Sequence, residues 1–301
     1  MKKLSIVISA FNEENNIEDC LKSVQNIASE IILIDNSSVD ETINIAKKYT
    51  NKIFSRKNNL MLNINKNFGI SKATNEWVLL LDADERITED LERDIRKVLE
   101  NNDVSINGYF MPRKNMIFGK WIQHTGWYPD KQLRLFRRKR AKFAEKHIHE
   151  MIEVSGEVGE LESPLYHLNY VNVSQFLDKM IRVYTISEAN SLINSGYKIS
   201  IADAILMPTK EFVKRFFAEK GYKDGSHGLM LSLLMAFYHF VVFLRVWEAK
   251  SYPDSKDILK EFESAQKESF RQISYWMITE KIYSEKNPIK KILQKTIKKI
   301  S

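Results

Sequence analysis

Apolar and polar positions alternate in blocks along the first hundred residues. Leu4 to Ser9 (LSIVIS) is a short β-branched apolar run of the kind that forms a buried strand. Asn15 to Gln25 then places Ile17, Leu21 and Val24 on one helical face. Glu30 to Asp35 (EIILID) predicts a second buried strand, with Asn36-Ser37-Ser38 as a turn and Asp40 capping a helix that carries Thr42 to Tyr49. A short strand near Ile53 and a helix through Asn67 to Thr74 lead into Trp77 to Leu81 (WVLLL), the most apolar strand of all. Strand and helix alternating at short intervals predict an α/β fold, a parallel sheet covered by helices on both faces. Such a sheet takes ligands at the carboxyl ends of its strands, where Asp35 and Asp82 sit. From about Gly108 the pattern turns to short strands and loops rich in Trp, Tyr, His and Arg, and from Val173 it reads as helical.

The chain of 301 residues suits one large domain with an extension, or two smaller domains. Its hydrophobic share of 44% and charged share of 28% are those of a folded protein. A net charge of +7 favours anionic partners: nucleotide phosphates, nucleic acid or acidic lipid. No nucleic-acid recognition motif accompanies the charge, so nucleic acid is not an expected partner. The one cysteine, Cys20, excludes an internal disulfide framework and is expected to pack on the first helix. The first glycine is Gly69, so no glycine-rich phosphate loop can follow the first strand. A nucleotide bound here would be held by side chains and a metal. Leu4 to Ala10 is too short for a secretory signal and soon meets Asn12, Glu13 and Glu14, which leads us to expect a cytoplasmic protein.

Asp82-Ala83-Asp84-Glu85 follows the WVLLL run. Carboxylates crowded at a strand end repel one another and need compensation by a cation or by hydrogen-bond donors. A hard divalent ion, Mg²⁺ or Mn²⁺, accepts carboxylate and phosphate oxygens together. A solvated turn leading to a capped helix is the competing reading.

Three segments in order carry a family resemblance: Ile8 to Glu14 (ISAFNEE), Leu33 to Thr42 (LIDNSSVDET) and Leu80 to Glu85 (LLDADE). Together they resemble the family 2 inverting glycosyltransferases with the GT-A fold. Lys66 to Gly69 (KNFG) and Gly126 to Arg137 (GWYPDKQLRLFR) are similar to a bacterial branch that adds sugars to the lipopolysaccharide inner core, as in the core β-1,4-glucosyltransferases. The resemblance implies a GT-A catalytic domain over 1–172, with a nucleotide-binding half over 1–107 and an acceptor-facing half over 108–172. A helical extension, 173–301, follows. It implies that Ala10, Phe11, Asn12, Glu13 and Asp35 line the base and ribose of a nucleotide-sugar, a UDP-sugar by expectation. Many members carry an acid where this chain has Asn36, whose amide would pair with a uracil edge. Asp82 would approach the ribose or diphosphate, Asp84 would ligate the metal, and Lys66 would contact the phosphates or stand as a solvated helix lysine.

Inverting transfer needs a base that deprotonates the acceptor hydroxyl on the face opposite the nucleotide. Asp130 is the expected base, with Glu150 as the alternative. Trp127, Tyr128 and Arg134 are expected to face the acceptor. His147 and His149 lie two apart and would point the same way on a strand, where one completes the metal site, grips a phosphate or serves as a structural histidine. Arg134, Arg137, Arg138, Lys139 and Arg140 form a basic run, either a solvated edge or a match for a phosphorylated lipid.

Gly228 to Val246 is nearly long enough to span a bilayer and reads as a core or interfacial helix, or as a spanning one. At the end of the chain Ile289, Ile292, Leu293, Ile297 and Ile300 oppose Lys290, Lys291, Lys295, Lys298 and Lys299, a pattern that can lie on an anionic membrane. The expected activity is transfer to a lipid-linked saccharide or other glycolipid at the inner face of the cell membrane. Transfer to a polyprenyl phosphate or a protein, and a catalytically silent nucleotide-sugar-binding scaffold, are the alternatives.

Overall fold

The structure, a computed structural model, describes residues 2–58, 62–101, 105–144, 151–285 and 287. The elements run β1 (Leu4–Ala10), α1 (Ile17–Val24), β2 (Glu30–Asp35), α2 (Thr42–Ala46), β3 (Lys52–Ser55), α3 (Leu62–Lys72), β4 (Trp77–Asp82), β5 (Glu85–Arg86), α4 (Glu89–Glu100) and β6 (Ile106–Ile117). There follow β7 (Lys120–Trp121), β8 (Lys131–Arg137), β9 (Ala141–Lys142), β10 (Glu153–Val154), β11 (Glu157–Glu160) and β12 (Leu165–Tyr170). The helices α5 (Val173–Lys179), α6 (Thr185–Asn194), α7 (Asp203–Val213), α8 (Ser226–Ala249) and α9 (Ile258–Ser284) complete the series. They fall into two compact units: Met1–Met116 with Tyr128–Asn169, and Ile117–Trp127 with Tyr170–Ser301.

The first unit is built on a mixed sheet of order β3-β2-β1-β4-β8-β6-β12-β5. β1 pairs parallel with β2 and with β4, and β2 with β3. β8 runs antiparallel to both β4 and β6. The strand period of two sorts the apolar runs onto two faces. Leu4, Ile6, Ile8, Ile31, Leu33, Trp77, Leu79 and Leu81 pack against Cys20 and Leu21 of α1 and against Leu91, Ile95 and Leu99 of α4. Val7, Ile32, Ile34, Val78 and Leu80 join Ile70 of α3 and Phe136 of β8 on the other face. Cys20 is fully buried, as expected, and burial pushes its thiol pKa well above the ordinary range.

Three local expectations change. The helix before β4 begins at Leu62, earlier than the apolar pattern indicates, because Asn63 and Asn65 are turned inward and buried. This helix lies close on the sheet: a Cβ on Gly69 would come 2.6 Å from Val7 Cγ1 and 2.8 Å from Ile34 Cγ1. Asp40 does accept the Thr42 N–H at 3.1 Å, but α2 ends at Ala46. β6 is a single twelve-residue strand where only short ones were expected.

In the second unit α8 packs against α6 and α7, with Ala189, Val242 and Val246 in one cluster. Leu231 of the same helix joins Phe176 and Tyr170 in another. α8 is long and apolar enough to cross a membrane, and 39% of its most apolar window is buried within the protein.

One carboxylate ties the amino-terminal edge of the sheet. Glu30 accepts from Ser5 Oγ (2.5 Å), Thr74 N (2.7 Å) and Thr74 Oγ1 (2.8 Å), and pairs with Lys52. Burial works to raise its pKa, but Lys52 and these donors win and hold it at about 2 against an ordinary 4.5. The stabilisation is therefore whole above the ordinary value and is lost as the pH falls through it towards about 2. Glu30→Gln should cost about 1.5–3 kcal/mol at neutral pH, the range for hydrogen bonds to a charged group. Urea denaturation at a series of pH values should show that difference shrinking below about pH 4, where the carboxylate of the unfolded chain begins to protonate while the native one stays ionised. Parallel curves for variant and wild type would contradict this.

Candidate active site

The parallel register of β1 and β2 sets Ala10 beside Asp35, so the loops that follow them emerge together. Side chains clasp the two loops. The Asn12 N–H donates to Ser38 Oγ (2.9 Å), Val39 N–H to Asn12 Oδ1 (2.9 Å) and Glu13 N–H to Thr42 Oγ1 (2.8 Å). Asp35 is buried and receives the N–H groups of Ser37 and Ser38, an Asx turn. Ala10 is buried, and Phe11 stands 43% exposed at the rim. Asn36 departs from its expected part. Its amide is buried and donates to Ser9 Oγ and the Ala10 carbonyl, while its oxygen accepts from Asn65 at 2.6 Å. Committed in this way, it fastens α3 to the sheet and has no edge to offer a base.

At the end of β4 the carboxylates meet cations from three other elements. Asp82 Oδ1 receives Lys66 Nζ from α3 at 2.6 Å, and Oδ2 receives Arg134 Nη2 from β8 at 2.6 Å. Burial works to raise the Asp82 pKa, but the charges of Arg134 and Lys66 override it and hold the group well below the ordinary carboxylate range. Glu85 is fully buried: Oε2 accepts the Asp82 N–H (2.9 Å), and Oε1 accepts Arg134 Nη2 (2.7 Å) and faces Arg113 Nη1 at 3.5 Å. Arg134 is buried too, and the two carboxylates raise its pKa against the opposing effect of burial. Its expected place facing the acceptor is corrected: the guanidinium is buried, with Nη2 on both Asp82 and Glu85.

The chain of contacts continues from Arg113 to Asp130, with Nη2 at 2.7 Å and Nε at 2.8 Å from Oδ2. Asn115 Nδ2 also donates to that oxygen at 3.0 Å, and Gln132 donates to Oδ1 at 3.0 Å. Burial acts to raise the Asp130 pKa, while Arg113 and the two amides bring it below the ordinary value. Asn115 Oδ1 in turn meets His167 Nδ1 at 2.6 Å, and His167 Nε2 lies 3.5 Å from Asp84 Oδ2. Among the described residues no three His, Cys, Asp or Glu side chains form a ready-made metal cage. Each Asp82 oxygen already faces a cation. The pair that fits a metal is therefore Asp84 with His167, a carboxylate and an imidazole in reach of one ion, with phosphate oxygens and water to complete it.

The sequence profile described as glycosyl transferase family 2 matches residues 5–155, which span β1 to β10. The chain belongs to glycosyl transferase family 2. A glycosyltransferase of Rickettsia typhi is 29% identical over 253 residues, 80% of this chain and 85% of that protein. The lipopolysaccharide core biosynthesis glycosyltransferase LpsC of Rhizobium meliloti is 24% identical over 267 residues, 85% of this chain and 97% of that protein. Among solved structures, Staphylococcus aureus TarS in complex with UDP aligns with TM-score 0.44 and 16% identity over 84% of this chain and 93% of that one.

In this transferase the expected residues Lys66, Asp82, Asp84 and Asp130 fall on one connected set of contacts. Tyr128 lies in the first unit and is half-buried. Trp127 belongs to the second unit, edge-on to Tyr170 and under the Arg215 guanidinium. Of the basic run, Arg137 stacks on Trp77 and pairs with Glu76, and Arg138 donates to the Asn75 carbonyl. His147, His149 and Glu150 lie outside the described residues. Arg113, Asn115 and His167 were not foreseen, and Glu85 was noted only as one of the crowded carboxylates; a lone histidine inside the apolar run LYHLNY was the one available signal for His167.

Removing the central cation gives a test of this arrangement. Arg134→Met should destabilise the protein by about 3–5 kcal/mol, because it strands buried Glu85 and half-buried Asp82. Denaturant midpoints at constant slope check it; a loss under about 1 kcal/mol would mean that the two carboxylates are compensated by other groups.

Proposed function

We propose that the protein is a metal-dependent inverting hexosyltransferase that moves a sugar from a UDP-sugar to a lipid-linked saccharide, at the cytoplasmic face of the membrane. The observation that carries the reading is the pairing of Asp84 with His167 beside a charge-neutralised Asp82, at the carboxyl ends of β1, β2 and β4. The clasped loops Ala10 to Glu13 and Asp35 to Ser38 form the base and ribose side of the donor site. A divalent ion, Mg²⁺ or Mn²⁺, held by Asp84 and His167 would neutralise the diphosphate of the leaving nucleotide.

Asp130 then acts as general base. Its Oδ2 is occupied by Arg113 and Asn115, whereas Oδ1 receives Gln132, so Oδ1 takes the proton of the acceptor hydroxyl. The acceptor oxygen bonds to the anomeric carbon as the bond to the diphosphate breaks on the opposite face, and configuration inverts. Arg113 keeps the base ionised at neutral pH at some cost in basicity, which suits proton transfer concerted with attack.

The acceptor class is supported by the likeness to a lipopolysaccharide core enzyme over most of both chains. Charge distribution supports a membrane location. The second unit holds 22 Lys and Arg against 14 Asp and Glu, an excess of 8 that exceeds the net +7 of the whole chain. The terminal lysine-rich stripe, 288–301, lies outside the described residues.

Asp84→Asn should nearly abolish transfer and weaken metal-dependent UDP binding. Wild-type turnover in that variant, or full activity with excess chelator, would remove the metal mechanism. Asp130→Asn should leave donor binding intact and lower kcat by a factor of about 10² or more. If kcat persists in Asp130→Asn, the base lies elsewhere. The acceptor is tested by incubating purified protein with UDP-sugars and three acceptor sets: core glycolipid, polyprenyl phosphate and protein. Product only from either of the last two would replace the lipid-linked saccharide.

A further inference from the structure

Asn115 is wholly buried on β6 and touches both chemical ends of the site. Arg113 and Asn115 lie two apart on this strand and so share a face, which is how both reach Asp130. An ionised carboxylate only accepts hydrogen bonds, so the Asn115 atom at 3.0 Å from Asp130 Oδ2 is the amide nitrogen. The amide oxygen consequently faces His167 Nδ1 at 2.6 Å, and Asn169 Nδ2 approaches the same oxygen at 3.4 Å. The Asn169 amide nitrogen, a donor, agrees with that orientation. A neutral imidazole has one N–H, and here it is committed to Asn115 Oδ1. Nε2, left with its lone pair, lies 3.5 Å from Asp84 Oδ2, two acceptors that a cation between them would reconcile.

We propose that Asn115 is a positioning residue that fixes His167 in its Nδ1–H tautomer, so that Nε2 and Asp84 form one ligand face, and that the same amide holds Asp130. This rests on the transferase reading for what the face and the carboxylate serve. The residue type is matched to the task. Asparagine offers a donor and an acceptor a short distance apart on a rigid amide. Aspartate supplies the acceptor for His167 but would set a carboxylate against Asp130, and alanine supplies neither group. Outer groups of this kind fix the tautomer of metal-binding histidines, and losing them typically lowers metal affinity 10- to 100-fold, an approximate range.

The two arms of the amide are separable. Ring ¹⁵N signals of ¹⁵N-labelled protein, with His167 assigned by comparison with His167→Gln, report the tautomer without reference to activity. The wild type should show Nδ1–H, Asn115→Asp should keep it, and Asn115→Ala should show mixed tautomers or Nε2–H. Mn²⁺ binding in the presence of UDP, followed by the electron paramagnetic resonance of free Mn²⁺, should weaken about 10- to 100-fold in Asn115→Ala and hold within about threefold in Asn115→Asp. Turnover should fall in both, since neither donates to Asp130. An Nε2–H ring in the wild type, an unchanged ring in Asn115→Ala, or loss of the tautomer in Asn115→Asp overturns the proposal. The wild-type and Asn115→Asp spectra keep the test decisive even if the alanine variant does not fold. If wild-type protein with UDP takes up no Mn²⁺, the metal reading fails, and the ring spectra still decide the role of Asn115.

Discussion

A single guanidinium, Arg134 between Asp82 and Glu85, holds the acidic end of β4 in shape. β8 runs antiparallel beside β4, with Leu135 opposite Leu79 and Phe136 opposite Val78, so the next residue back along β8 delivers its charge to the strand end where the carboxylates collect. Glu85 closes the turn by accepting the Asp82 N–H and receives the same guanidinium. Lys66 completes the neutralisation from α3. A pair buried this deeply is retained for geometry rather than for stability, because desolvation offsets much of its attraction. What it secures is a fixed direction for Asp82, with Asp84 two residues on beside His167.

From that point the contacts run through Arg113, Asp130 and Asn115 to His167 and return to Asp84. Cations and carboxylates alternate for most of the way, which is how four acids, Asp82, Asp84, Glu85 and Asp130, occupy one strand-end region without mutual expulsion. Lys66, Arg134 and Arg113 supply three positive charges against those four. A divalent ion carrying an anionic diphosphate is electrostatically acceptable beside Asp84.

Much of this was legible in the sequence, for a physical reason. β1, β2 and β4 are buried on both faces, so they read as continuous apolar runs, and the residues at their ends stand out. Asp35, Asp82 and Asp84 were found that way. Asp130 came from its loop, flanked by Trp127 and Tyr128, together with the likeness of its segment to known transferases. Arg134 was noticed as one of a basic run, but its partner could not be read, because strand pairing sets it beside residues some fifty positions earlier. His167 and Asn115 were hidden for the same reason: they meet only because β12 lies beside β6. The start of α3 was missed because Asn63 and Asn65 are polar residues facing inward, which removes the amphipathic signal. Asn36 was assigned to the nucleotide from its place after Asp35, and only the packing of α3 shows that its amide is already used.

The central claim is that Asp82 is neutralised within the protein and that the metal face consists of Asp84 and His167. A crystal of the protein with UDP and Mn²⁺, measured for the anomalous signal of manganese, tests it most directly. The account predicts one peak within about 2.1 Å of an Asp84 oxygen and of His167 Nε2, with Asp82 still held by Lys66 and Arg134. A peak ligated by Asp82, with Arg134 displaced and His167 turned away, would contradict it.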